Sequence, residues 1–272
     1  MLKYSIALTA LLYTTFAHAI HYDAMLGTSN GPVPGSKITV DFYGDLDLSG
    51  KLPVDAASGF KLFPGYFDDL AGGPKLTDDP GFQAFNNAFQ YGEELHFKAV
   101  GVLEYWNPQT STWGAANSGS SVTLYGGIPV DAWLNHMLEP GNATYAAEYQ
   151  YYANGTVFNG QGINGPTTAL IDGASQAGSF HSHLDWKVSD AALAGVYKLS
   201  LQIWSPTEVN GVAKYQESDP FSVVFKTAGI SQAQYDSAFG LLVTPVPEAS
   251  TYSMLLIGLG VLGLARRRQT SV

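Results

Sequence analysis

Cysteine is absent from the 272 residues, which removes disulfides, thiolate metal sites and thiol nucleophiles together. Any metal bound here is held by nitrogen and oxygen. Arginine is nearly absent too, confined to Arg266, Arg267 and Arg268. Charged side chains make up only 13% of the chain, 13 basic against 23 acidic. Four of those basic residues, Lys3 and the three arginines, lie in the two terminal segments, as does Glu248, so the body keeps nine lysines against 22 acids. Such a surface repels phosphate backbones and excludes nucleic acid as a partner, whereas it tolerates cations. Long helical periodicity is also lacking. Glycine, proline, asparagine, serine and aspartate punctuate short alternating runs at 37–43, 94–106, 121–125, 179–188, 197–204 and 221–226.

That texture predicts an all-β fold, an antiparallel β-sandwich with little helix, over residues 20–245. One compact domain is the first expectation; two packed sheets, 20–127 and 179–227, are the alternative. The runs around His181 and Tyr197 are expected to pair as neighbouring antiparallel strands. A short helix is expected from Ser231, as N-cap, to Phe239. The stretch 138–179, rich in glycine, asparagine, tyrosine and alanine, gives no clear assignment, and no internal repeat stands out.

The two ends read as addresses. Lys3, the apolar run 4–16 and Ala17-His18-Ala19 have the layout of a signal peptide over residues 1–19, to be removed by signal peptidase. At the other end Val246-Pro247-Glu248-Ala249-Ser250-Thr251 leads into an apolar segment, 254–265, expected to be helical, and then the three arginines. Short motif, apolar helix and basic stop in this order resemble the PEP-CTERM sorting tail, with Ala249 where the motif has its second proline. The resemblance implies export, handling of 246–272 by an exosortase, and contact with the membrane only through this tail.

Within the body, the stretch most suggestive of chemistry is His181-Ser182-His183-Leu184-Asp185-Trp186. In an extended strand His181, His183 and Asp185 share one face, which offers two imidazoles and a carboxylate, the donors a zinc ion takes. Other histidines are few. His96, in Glu94-Leu95-His96-Phe97-Lys98, alternates with apolar neighbours, and His21 opens His21-Tyr22-Asp23; His136 reads as part of an amphipathic turn. If distant strands meet, His21, His96, His181 and His183 complete a tetrahedral site, although His96 satisfied by Glu94 is the simpler fate of that side chain.

The run His181-x-His183-x-x-Trp186-x-Val188-Ser189 followed by Gly195-x-Tyr197 is similar to a signature of the choice-of-anchor M domain, as is the H-x-D of His21 and Asp23. That resemblance implies an exported bacterial protein associated with zinc or manganese transport. Enzyme patterns fare worse. The H-x-H-x-D-H of metallo-β-lactamase-type hydrolases has Trp186 at its last position and no histidine beyond, and Trp186-Lys187-Val188 replaces the glutamate of a cupin. The acid pairs Glu93-Glu94 and Asp68-Asp69 read as solvated charge rather than a glycosidase pair. Asp45-Leu46-Asp47-Leu48-Ser49-Gly50 opens like a calcium loop, but Ala56 stands where the closing glutamate belongs.

The sequence therefore points to an envelope or extracellular protein, not an enzyme, that binds a divalent metal ion, Zn2+, through histidines. Capture, or delivery to metal-uptake machinery, is the expected role. The rival expectation is a surface adhesin or glycan-binding component of an exopolysaccharide matrix, with Trp106, Trp113, Trp133, Trp186 and Trp204 as its candidate platforms.

Overall fold

A computed structural model describes residues 22–44, 52–67 and 73–243. The expected signal peptide, His21, residues 45–50, Asp68-Asp69 and the sorting tail lie outside the described residues.

The chain opens with β1 (Tyr22–Thr28) and β2 (Ile38–Gly44), then β3 (Lys61–Tyr66), the short β4 (Leu76–Thr77) and β5 (Gly81–Ala84). The 14-residue β6 (Glu94–Asn107) turns into β7 (Thr112–Ala115) and is followed by β8 (Ser121–Leu124). Two helices, α1 (Val130–Leu138) and α2 (Ala143–Ala153), precede β9 (Thr156–Asn159), β10 (Gly162–Asn164), β11 (Thr168–Gly173), β12 (Phe180–Ser182) and β13 (Trp186–Val188). Then come β14 (Val196–Trp204), β15 (Glu208–Val209), β16 (Val212–Ala213), β17 (Phe221–Lys226) and α3 (Gln232–Leu242).

Three sheets carry the body, in strand orders β12-β5-β1-β2, β10-β9-β8-β13-β4 and β11-β6-β14-β17-β3. Their apolar faces share one buried cluster, to which Leu26, Phe82, Phe97, Phe158, Trp186, Leu199 and Phe225 all belong. The protein is mostly β, as expected, but the sheets are mixed: β5 runs parallel to β1, and β3 parallel to β17. Parallel neighbours need a long crossover and leave no turn signature beside either strand. The strand expected across 179–188 is broken at His183–Asp185, so β12 joins β5 while β13 joins β8 and β4. The expected pairing of the His181 and Tyr197 runs does not form, because β14 lies between β6 and β17.

Helix α3 starts where expected. Ser231 and Gln234 form a reciprocal capping box, and Tyr235, Ala238 and Leu242 pack against Leu62, Trp106, Val196 and Val224. Helix α2 fills part of the stretch that gave no assignment, while α1, which carries His136, ends where that stretch begins. Asn142 caps α2 by accepting from the Thr144 and Tyr145 N–H groups, but α2 buries no residue and α1 buries only Ala132. Among the described residues no helix is long and apolar enough to cross a membrane.

Candidate metal centre

Strand alternation and register assemble the site on the outer face of the first sheet. In β1, Tyr22, Ala24 and Leu26 are buried side chains of the inner face, so Asp23 and Met25 belong to the other. In β5, Phe82 and Ala84 go inward and leave Gly81 and Gln83 outward; in β12, Phe180 goes inward and His181 outward. The register sets Asp23 opposite Gly81, and Gln83 opposite His181. Three strands distant in sequence thus deliver Asp23 and His181 to one patch, with His183 just past the end of β12.

The donor atoms converge. His181 Nε2 and His183 Nε2 are 3.0 Å apart. Asp23 Oδ2 stands 3.2 Å from the first and Asp23 Oδ1 3.7 Å from the second. A tetrahedral ion with bonds of about 2.0–2.1 Å to nitrogen and oxygen separates its ligand atoms by about 3.3 Å, so these spacings bracket the edges of such a polyhedron. Gly81 makes room for the arrangement. A Cβ there would lie 2.4 Å from Asp23 Oδ1 and 2.8 Å from the His183 ring.

The proton pattern of His183 suits a ligand. Its Nδ1 is 3.1 Å from the Asp78 carbonyl oxygen, which can only accept, so Nδ1 carries the hydrogen and a neutral ring leaves a lone pair on Nε2. The Asp79 and Asp78 carboxylates stand 3.5 and 3.8 Å from the same Nδ1 and help fix the ring's orientation. Trp186 holds that segment from below by donating its indole N–H to the Pro80 carbonyl at 3.2 Å. Asp78, Asp79 and His183 also cluster closely enough to ligate. Because Nδ1 is engaged with the carbonyl, that second cluster acts better as support for the first.

Asp23 is buried, and its Oδ1 has no hydrogen-bond partner among the described residues. Its ion-pair neighbours there are the two imidazoles. A buried carboxylate without a counter-charge is costly, and a divalent cation between the three side chains removes that cost.

The expected ligands divide. His181 and His183 come together; His96 does not join them among the described residues. His96 lies on β6 in another sheet, with Nε2 3.1 Å from Glu94 Oε2 and its ring 5.2 Å from that of Trp204. Asp185 is exposed beyond the strand break, and Asp23 occupies the carboxylate's place. The sequence signal for Asp23 is the H-x-D of His21-Tyr22-Asp23, from which the expected ligand set takes only the histidine. Glu93 is not solvated charge: it is buried, paired with Lys214, and accepts from Tyr215 Oη at 2.6 Å. Gly27-Thr28-Ser29-Asn30-Gly31 has the spacing of a serine nucleophile elbow, yet Ser29 sits in the β1–β2 turn, where its Oγ accepts from Lys37 N–H at 3.1 Å. No helix follows it there, as the elbow requires. Trp106 and Trp186 are core residues rather than sugar platforms.

Residues 245–269 match the family model of the PEP-CTERM protein-sorting motif. No curated protein and no solved structure matches the chain. The resemblance to the choice-of-anchor M domain finds no support in these comparisons. The sorting motif implies exosortase-dependent handling and supports an exported protein of the cell envelope or surface.

Proposed function

We propose that this exported protein binds a divalent transition metal, zinc, between Asp23, His181 and His183, and serves in metal capture or delivery rather than in catalysis. The observation that carries the reading is the convergence of two imidazole Nε2 atoms 3.0 Å apart with a buried carboxylate that no lysine neutralises among the described residues. Two nitrogens and an oxygen without sulfur suit zinc better than calcium or magnesium, which prefer all-oxygen shells. Metal-uptake machinery is the partner class that delivery would require.

The test is titration calorimetry on the full chain, with elemental analysis of protein purified without chelator. One zinc per chain is expected, and His181→Ala with His183→Ala abolishes its binding. Unchanged affinity in the double variant would exclude the site.

A further inference from the structure

The three donors are unequally exposed. The side chain of Asp23 is 5% accessible, that of His183 21% and that of His181 52%. Asp23 is therefore the floor of the site and His181 its mouth. A three-ligand zinc site ordinarily keeps its fourth position for a molecule from outside, and that position opens on the His181 side.

His181 also lines an open cup of about 530 Å³. Gln83, Asn86, Ser175 and Ser179 line the same cup with amide and hydroxyl groups, and Gln83 Oε1 is buried there without a hydrogen-bond partner among the described residues. Phe85 forms part of its wall, 46% exposed, edge-to-face with Tyr43 at 5.1 Å, itself 47% exposed. Large aromatics left this open beside a polar concavity suit a ligand with an apolar ring face and several hydroxyls. No lysine or arginine lines the cup. A metal ion at the mouth would supply the positive charge, and the anionic group it draws most readily through oxygen is a carboxylate.

We propose that the bound metal keeps one coordination position open toward this cup and there takes a carboxylate-bearing, hydroxyl-rich ligand, the chemistry of a sugar acid. This rests on the zinc reading above. The metal holds the carboxylate, the amides and hydroxyls bond the ring hydroxyls, and Phe85 covers the ring face.

Glucuronate titrated into the zinc-loaded full chain tests it, with glucose, acetate and metal-free protein as parallel arms. Glucuronate is expected to bind at least ten-fold more tightly than glucose or acetate, and not at all without zinc. Phe85→Ala should retain zinc and weaken glucuronate about five-fold. A uronate oligomer that binds as tightly as the monomer assigns the ligand to a polysaccharide; exclusion of the oligomer assigns it to a free acid. Zinc bound with glucuronate no tighter than acetate overturns the cup and leaves the metal reading standing. A ten-fold loss of zinc affinity in His21→Ala overturns it too, because the fourth position is then already filled. Absence of zinc binding overturns both.

Discussion

Two buried carboxylates in this protein are treated in opposite ways. Asp55 is neutralised from within: Lys198 Nζ lies 2.7 Å from its Oδ2 and 2.5 Å from Glu104 Oε2, while Ala57 N–H donates to Asp55 Oδ1 at 2.9 Å. Asp23, as deeply buried, faces two imidazoles and no lysine among the described residues. The first cluster is complete as it stands. The second has its negative charge and its lone pairs in place with no lysine beside them among the described residues, the arrangement that the proposed metal site requires and a structural ion pair does not show.

Removing Lys198 should have the largest effect. Lys198→Met leaves Asp55 and Glu104 facing one another without a cation, and we expect a loss of about 3–5 kcal/mol in denaturant-induced unfolding. The pH dependence gives the same cluster a sign. Burial pushes the Asp55 carboxyl up, but the Lys198 bond and charge and the Ala57 and Ser58 donors outweigh it and hold the group below its ordinary value. A carboxyl lowered by folding contributes stability above its unfolded pKa, and that contribution is lost as pH falls through the folded value. Lys198, pushed down by burial but raised on balance by Asp55 and Glu104, keeps its contribution until strongly alkaline pH. Acid should therefore destabilise the wild type more than Lys198→Met, and equal acid sensitivity would dissolve the contrast between the two clusters.

Asp23→Asn preserves the shape of the other cluster and removes its charge. Without metal the substitution is expected to leave stability within about 1 kcal/mol, because no ion pair with lysine is broken. With zinc at 100 times its Kd the wild type gains about 2.7 kcal/mol and the variant almost none. Thermal unfolding with and without zinc measures both. A metal-free Asp23→Asn variant that loses as much as Lys198→Met would show that Asp23 is a structural anchor instead.

Much of the framework was legible because its signals are local. The alternation in 197–204 and 221–226 marks β14 and β17, and Ser231 with Gln234 marks the start of α3. The histidine pair was legible for the same reason, since two residues apart on an extended segment means one face. What escaped was set by tertiary packing. Asp185 continues the alternation in sequence, but the chain leaves the sheet after Ser182 and goes on to bury Leu184 and Trp186, and no residue type announces that break. Asp23 reaches the histidines through a parallel pairing of β1 with β5 and an antiparallel one of β5 with β12, none of which adjoins another in the chain. Helix α2 hid because Ala and Tyr recur around it without an apolar stripe, consistent with a helix that buries no residue.

His96 supplies the finest test of the contrast. Its ring spans Glu94 Oε2 at 3.1 Å and the face of Trp204, so it is already satisfied in the way an isolated strand histidine usually is. The Glu94 carboxylate is half exposed and worth little to the pair. His96→Ala should cost about 1 kcal/mol of stability, mostly through lost packing on Trp204, and should leave zinc affinity within two-fold of wild type. A ten-fold fall in affinity would draw His96 back among the ligands and require β6 to approach β12 when metal binds. Unchanged affinity confines the proposed metal binding to the first sheet, to the two rings and the buried aspartate that Gly81 leaves room for.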